Sequence, residues 1–397
     1  MSDLLLRNVR PYGEAVSDLL IRDGKIAGIG RFEPEAGMPV EDGGGAIAIP
    51  GLIDAHTHLD KTTWGIPWHE NNRRAVLRER IDFERENRVA VGIDPHRQSM
   101  RHAIGLAAHG ATHIRSHVDI DPTHKLSIVD GIMETREKLK GFIDIEIVAF
   151  PQSGVMVMPG TLELLDEALS QGCEVLGGID PCGIDRDPKG QLNAIFALAV
   201  KHQKPIDIHL HEAGDLGAFT MELMFERIRA NGMRGKVAIS HAFALGMNDY
   251  LRVGSLIEQI AELDVAILTT GAPSATVPSI MRLKQAGVRV GAGCDGIRDT
   301  WGPWGQPDML DRAKIVGMKN GLRSDIELAH VLHIVSQGGA DVMRIEGYGL
   351  AEGCNADFTL LTGETLAHAV VDVAPRPLVV KGGRVTARNG QPTVAMP

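Results

Sequence analysis

The run Ala46-Ile47-Ala48-Ile49-Pro50-Gly51-Leu52-Ile53-Asp54-Ala55-His56-Thr57-His58 decides how the rest of the chain is read. It reads as an apolar strand that ends in two histidines one residue apart. Side chains at i and i+2 of a strand share a side. His56 and His58 therefore face one space, which is the beginning of a site for Zn²⁺ or Fe²⁺. Seven further apolar runs follow: 112–119, 143–151, 174–180, 205–211, 236–241, 265–270 and 288–295. The stretches between them carry helix-period apolar spacing, as at Leu162, Leu164, Leu165 and Leu169, or Ile326, Leu328, Val331, Leu332 and Ile334. Eight strand–helix units predict an α/β fold, the (β/α)8 or TIM barrel, whose chemistry sits at the C-terminal ends of its strands.

Outside this centre the chain reads as short strands. Leu4–Val9, Asp18–Arg22 and Lys25–Ile29 precede it, with Asp23-Gly24 as a hairpin turn signal. Phe358–Leu361, Pro377–Lys381 and Arg384–Ala387 follow it. The expectation is a small β-sandwich domain assembled from residues 1–50 and 351–397 around a barrel spanning 51–350.

Bulk properties exclude several functions. With 397 residues and a formal net charge of −10, the chain can bury a large core and has no basic run suited to nucleic acid. Cys173, Cys182, Cys294 and Cys354 show no C-x-x-C spacing, which argues against a thiolate metal site or a disulfide scaffold and fits a reducing cytoplasm. The first residues carry neither a basic segment nor an apolar core of a secretory signal, and no stretch is long enough to span a bilayer. Cytoplasmic location and no membrane partner are the corresponding expectations.

Polar residues gather where the strands end. The first predicted strand ends in His56 and His58, the fifth in His209-Leu210-His211-Glu212, the sixth in Ser240-His241 and the eighth in Cys294-Asp295. His56, His58, His209 and Asp295 would give three nitrogens and one oxygen with a position left for water, the arrangement of a catalytic site. The fourth predicted strand, 174–180, has no lysine to carbamylate as a bridge between two metals, so one metal ion is expected. His241 is placed to bond the attacking water. Glu212 reaches the site only if the chain leaves the strand at Ala213-Gly214, and His211 faces inward by parity but could equally pack. All four tryptophans, Trp64, Trp68, Trp301 and Trp304, follow the first or the eighth strand, neighbours in a closed barrel, which suggests a stacking wall for a planar heterocycle.

These residues resemble the amidohydrolase superfamily of metal-dependent hydrolases. The matches are Pro50 to His58, His209, His241, Asp295 and the tail Gly349 to Phe358. Within the superfamily the chain is similar to the cytosine deaminase group, through His56-Thr57-His58-Leu59-Asp60, Arg115-Ser116-His117-Val118-Asp119, Val148 to Gly154, His209-x-x-Glu212 and Asp299 to Gly305. It also resembles the N-isopropylammelide amidohydrolases of triazine degradation. The resemblance implies Zn or Fe as the cofactor and a small heterocyclic substrate. It implies Gln152 bonding the ring, Glu212 shuttling a proton, His241 orienting the water, and Trp301 lining the pocket. His117 and Trp64 are further expected substrate contacts. Homo-oligomers are common in that group. One position departs from it: the cytosine enzymes follow the metal-binding aspartate with a second aspartate, and here Asp295 is followed by Gly296.

The expected activity is hydrolytic deamination of a cyclic amidine in a planar ring, a cytosine-like aminopyrimidine or an aminotriazine, with release of ammonia. The alternative is loss of an alkylamine from an N-substituted aminotriazine, or opening of a cyclic amide. A non-catalytic barrel serving as a scaffold is the remote alternative, opposed by the completeness of the site.

Overall fold

A computed structural model describes residues 3–72 and 74–397. Five strands come first: β1 (Leu4–Pro11), β2 (Ser17–Arg22), β3 (Lys25–Gly30), β4 (Val40–Asp42) and β5 (Ile47–Pro50). The eight that follow are β6 (Leu52–Thr57), β7 (Ala111–Asp119), β8 (Asp144–Phe150), β9 (Val175–Ile179), β10 (Ile206–His209), β11 (Val237–Ser240), β12 (Ala266–Thr269) and β13 (Val290–Ala292). They pair in chain order as one parallel eight-stranded sheet with helices between successive strands. This is the expected (β/α)8 barrel. Seven of its strands are buried along their whole length, as parallel strands covered on both faces must be, while β8 is exposed at Asp144 and half-buried at Glu146.

The chain ends in β14 (Phe358–Leu361), β15 (Leu378–Lys381), β16 (Arg384–Arg388) and β17 (Gln391–Pro392). These strands join β1–β5 through the antiparallel pairing of β14 with β5, where Phe358 faces Pro50 and Leu361 faces Ile47. The two groups form a small β-sandwich with a core of their own, containing Leu4, Leu6, Leu19, Ile21, Phe358, Leu360 and Val380. The Asp23-Gly24 turn between β2 and β3 has positive φ at both residues, as a tight hairpin requires.

The structure corrects the first strand. Ala46–His58 is two strands in two different sheets, β5 in the sandwich and β6 in the barrel, split at Pro50-Gly51. Gly51 makes the switch sterically feasible: a β-carbon there would lie 2.3 Å from the Thr112 side chain at the base of β7.

The barrel closes between β6 and β13 over a short seam. Asp295 N–H donates to the His56 carbonyl at 2.9 Å, the Thr57 hydroxyl donates to the Asp295 carbonyl at 2.8 Å, and Cys294 N–H donates to Asp54 Oδ1 at 3.0 Å. Gly293 permits the approach, since a β-carbon at 293 would lie 2.1 Å from the His56 carbonyl oxygen. Backbone cannot yield as a flexible side chain can. Gly293→Ala should therefore cost about 1–3 kcal/mol of stability, the usual penalty of overpacking. Urea unfolding measures it, and an unchanged midpoint would show that the seam has slack.

Candidate active site

The seam brings together residues that are distant in sequence. At the C-terminal mouth, His58 Nε2 lies 3.3 Å and His56 Nε2 3.7 Å from Asp295 Oδ1, and His209 Nε2 lies 3.4 Å from His58 Nε2. The donor atoms of His56, His58 and His209 lie within 4.8 Å of one another, as do those of His56, His241 and Asp295. Zinc–nitrogen bonds of about 2.0–2.1 Å place tetrahedral ligands roughly 3.3 Å apart, close to the 3.3, 3.4 and 3.7 Å separations here. His56 Nε2 and both ring nitrogens of His241 are buried with no hydrogen-bond partner, as expected of groups that await a metal ion or its water. The residues present fit a divalent cation.

Two of the rings are held from behind. His56 Nδ1 meets the Ser240 hydroxyl at 2.9 Å, and that hydroxyl donates to Asp207 Oδ1 at 2.6 Å. His58 Nδ1 lies 3.2 Å from the His117 carbonyl. Burial, reinforced by the neighbouring rings, holds the His209 and His241 pKa values well below the ordinary histidine value, so both stay neutral, the form that binds metal. Burial also opposes ionising Asp295, yet the His56 and His58 rings beside it keep its carboxyl well below the usual carboxylate range.

A cavity of about 290 Å³ opens above this cluster. Its lining includes His58, His209 and Asp295 on the floor, with Phe150, Gln152, Trp301 and Trp304 around them. The space suits a single ring with a short substituent. Gln152 and Trp301, both expected as substrate contacts, line it. His117 does not: its ring lies below the cluster, with centroids 4.3 Å from His56 and 4.4 Å from His209. Trp64 lies outside too, against the helix Pro95–Ala108 where a β-carbon at Gly105 would touch it, and Trp68 is exposed. Of the four tryptophans, Trp301 and the exposed Trp304 line the cavity.

Glu212 sits in the turn after β10. Its Oε1 accepts from the N–H groups of Cys182 at 2.7 Å and Gly183 at 2.8 Å, and its Oε2 accepts from the Thr220 hydroxyl. Burial raises its pKa. His211 lines the cavity, with Nδ1 on Asp180 Oδ2 at 2.7 Å. Burial resists protonating this ring, and Asp180 more than offsets it, so its pKa is raised.

Sequence reasoning missed Lys61 and Asp299, which also line the cavity. Lys61 Nζ donates to Gln152 Oε1 at 2.8 Å and to Asp119 at 3.0 Å, and lies 3.2 Å from Glu84 Oε1. Arg88, on α1 (Leu77–Val91), bonds Asp60 at 2.8 Å and reaches Glu84 and Asp119. All five charged groups are buried. The available signal was small: Lys61 stands three residues after His58, inside a stretch already singled out for its histidines.

The chain belongs to the amidohydrolase family, whose sequence profile matches residues 40–394, and it is a hydrolase acting on carbon–nitrogen bonds. It is 43% identical to the N-isopropylammelide isopropylaminohydrolase of Burkholderia multivorans, with a TM-score of 0.95 over 99% of this chain and 100% of that one. The N-isopropylammelide isopropyl amidohydrolase of Pseudomonas sp. (strain ADP) is 30% identical over 359 residues, 88% of each chain. The 5-methylcytosine deaminase of Klebsiella pneumoniae, crystallised with 5-fluorocytosine, is 27% identical with a TM-score of 0.85 over 98% of both chains. Among the described residues no helix is long and apolar enough to cross a membrane.

The Lys61 network makes a specific demand on stability. Burial alone would strip its charge, but Asp119, Glu84 and Asp60 outweigh burial and raise its pKa. Lys61→Met leaves buried carboxylates short of a cation, which should cost about 3–5 kcal/mol. With the ammonium gone, the pKa values of Glu84 and Asp119 rise in the folded state relative to the unfolded one. The folded chain then binds more protons, so the deficit grows from about pH 5 to about pH 8. Urea titrations at the two pH values test this; an equal loss at both would mean that Lys61 acts by packing alone.

Proposed function

We propose that this chain hydrolyses the bond between a ring carbon of a planar nitrogen heterocycle and its exocyclic amino substituent. His56, His58, His209 and Asp295 would hold one divalent cation, zinc or iron, with a position open to the cavity. The observation that carries this reading is the convergence of the His56, His58 and His209 imidazoles, with Asp295 Oδ1 3.3 Å from His58 Nε2, at the floor of a ring-sized cavity beside Trp301. Such a cation, when bound, supplies Lewis acidity and makes water nucleophilic near neutral pH.

The protein groups do the rest. Asp295 and His241 orient the attacking water and take its proton. Trp301 stacks on the ring and Gln152 Oε1, braced by Lys61, accepts from its edge. Glu212 is anchored through Oε1 on two backbone N–H groups. Its Oε2 would exchange Thr220 for the ring nitrogen beside the attacked carbon and protonate it, so negative charge does not build up there. A carboxyl whose pKa is raised by burial suits that exchange. The released amine takes the last proton.

An alkylamine is the favoured leaving group. The two N-isopropylammelide enzymes are more similar to this chain than the deaminase is, and Phe150, Ile179, Pro273 and Trp304 give an alkyl substituent apolar surface. Ammonia release is the second reading, supported by the similarity to 5-methylcytosine deaminase. All four cysteines are free thiols, in keeping with the proposed reducing cytoplasmic location.

A screen of metal-loaded protein against N-alkylated aminotriazines and aminopyrimidines, with separate detection of alkylamine and ammonia, tests the reading. Release of alkylamine supports it, release of ammonia alone favours the second reading, and release of neither sinks both. Chelation should abolish turnover and added Zn²⁺ or Fe²⁺ should restore it. Glu212→Gln should keep the metal and lose about 10²–10⁴ in kcat, the usual worth of one general acid–base group. Near-normal turnover in that variant would remove Glu212 from the mechanism.

A further inference from the structure

Gly296 lines the cavity directly after Asp295 and offers no side chain to a substrate. A β-carbon built there would lie 1.9 Å from Asp299 Oδ2. The Asp299 carboxyl thus occupies the place that a side chain at 296 would take. It is fixed there by its other oxygen: Oδ1 accepts from Trp301 N–H at 2.8 Å and Gly302 N–H at 3.0 Å. The Asp299 N–H donates to the Gly302 carbonyl at 3.1 Å, which closes the loop on itself. The loop that aims Oδ2 therefore also sets the Trp301 ring.

The donors of the neighbouring wall are already committed. Lys61 Nζ has three protons and faces Asp119, Glu84 and Gln152. Gln152 Nε2 donates to Asp119 at 2.9 Å and Glu84 at 3.4 Å. The buried indole N–H of Trp301 has no partner, but it lies in the plane of its ring and cannot serve a heterocycle stacked on the face. Asp299 Oδ2 is an acceptor on the cavity wall with no hydrogen-bond donor of the protein on it, while Oδ1 takes two.

We infer that Asp299 is a specificity-determining residue, its Oδ2 accepting a hydrogen bond from a ring N–H of the planar substrate, and that Gly296 lacks a side chain to leave it room. This rests on the heterocycle reading above. Burial and the Glu84 carboxylate push the Asp299 carboxyl up to about 7. A carboxylate so disfavoured gains from a donor supplied by the substrate, since an unmatched buried charge is costly.

The test uses metal-loaded protein and two flat rings that carry no exocyclic amine: uracil, which has ring N–H groups, and 1,3-dimethyluracil, which has none. Calorimetric titration of the wild type should show uracil binding at least about tenfold more tightly, the worth of one hydrogen bond to a charged group. Asp299→Asn keeps the anchored oxygen and turns an NH₂ donor toward the cavity. It should weaken uracil about tenfold or more, erase the preference, and leave metal content and melting temperature unchanged. For any amine-releasing substrate that has a ring N–H, KM should rise in this variant much more than kcat falls. Gly296→Ala, which displaces Asp299, should reproduce the loss and serves if Asp299→Asn does not fold. A wild type that binds neither ring, or does not discriminate between them, overturns the inference, as does a variant that binds like the wild type. N–H-dependent binding without amine release from any substrate would sink the proposed activity and leave the inference standing. Amine release with unchanged selectivity in both variants would do the reverse.

Discussion

The site depends on the seam between β6 and β13. His56 and Asp295 lie at opposite ends of the barrel in sequence, and main chain lying against main chain, pinned by the Thr57 hydroxyl and the Asp54 carboxylate, puts their side chains 3.7 Å apart. Gly293 sets how closely the strands approach, and Asp295 N–H on the His56 carbonyl sets their register. Arg312 braces the seam from outside, donating to the Thr270 carbonyl at 2.6 Å and the Cys294 carbonyl at 2.5 Å. A slip of one residue would turn Asp295 away from the mouth. The donor geometry is therefore a property of the barrel closure more than of any single ligand.

A second constraint acts one step above the seam. Lys61 and Arg88 neutralise Asp60, Glu84 and Asp119 in a buried cluster that carries more carboxylates than cations. Burying such charges is a poor way to gain stability. What the cluster supplies is position: it fixes the Gln152 amide through both its oxygen and its nitrogen, and it ties α1 to β7 over the rim of the cavity. The excess negative charge also reaches Asp299, whose carboxyl is raised partly by Glu84. The wall of the cavity and its charged underlay act as one electrostatic unit.

How far the sequence revealed this follows from which forces are local. The eight barrel strands were legible because a strand covered on both faces is largely apolar, and strand-end histidines stand out against such runs. Which strand-end side chains face the mouth was legible from parity. Depth was not. Along β7, Arg115, His117 and Asp119 all point inward, yet Asp119 meets Lys61 and Gln152 near the mouth. His117 lies one layer down beneath the histidines, and Arg115 pairs with Asp207 at 3.1 Å still deeper. Period two gives the face but not the layer. Trp64 and Asp299 escaped for a related reason, since loops after a strand are placed by what they pack against: Trp64 falls on Gly105 and Asp299 on Gly296.

The backbone at the mouth shows what the arrangement costs. Asp180 after β9, His241 and Ala242 after β11, and Asp295 after β13 all have positive φ without being glycine. Each such residue costs roughly 1–2 kcal/mol relative to ordinary backbone, and such strain persists only where the surroundings over-determine it. Here they do: His241 N–H is held by the Leu268 carbonyl at 2.8 Å and Asp295 N–H by His56. Glycine would relax the backbone at 241 and 295, but it would remove the imidazole and the carboxylate that the turn presents. At 293, two residues before Asp295, the requirement is reversed: the main chain must approach and no side chain fits. The placement of glycine at 293 and aspartate at 295 thus separates two tasks on one short strand end, closing the barrel and arming it.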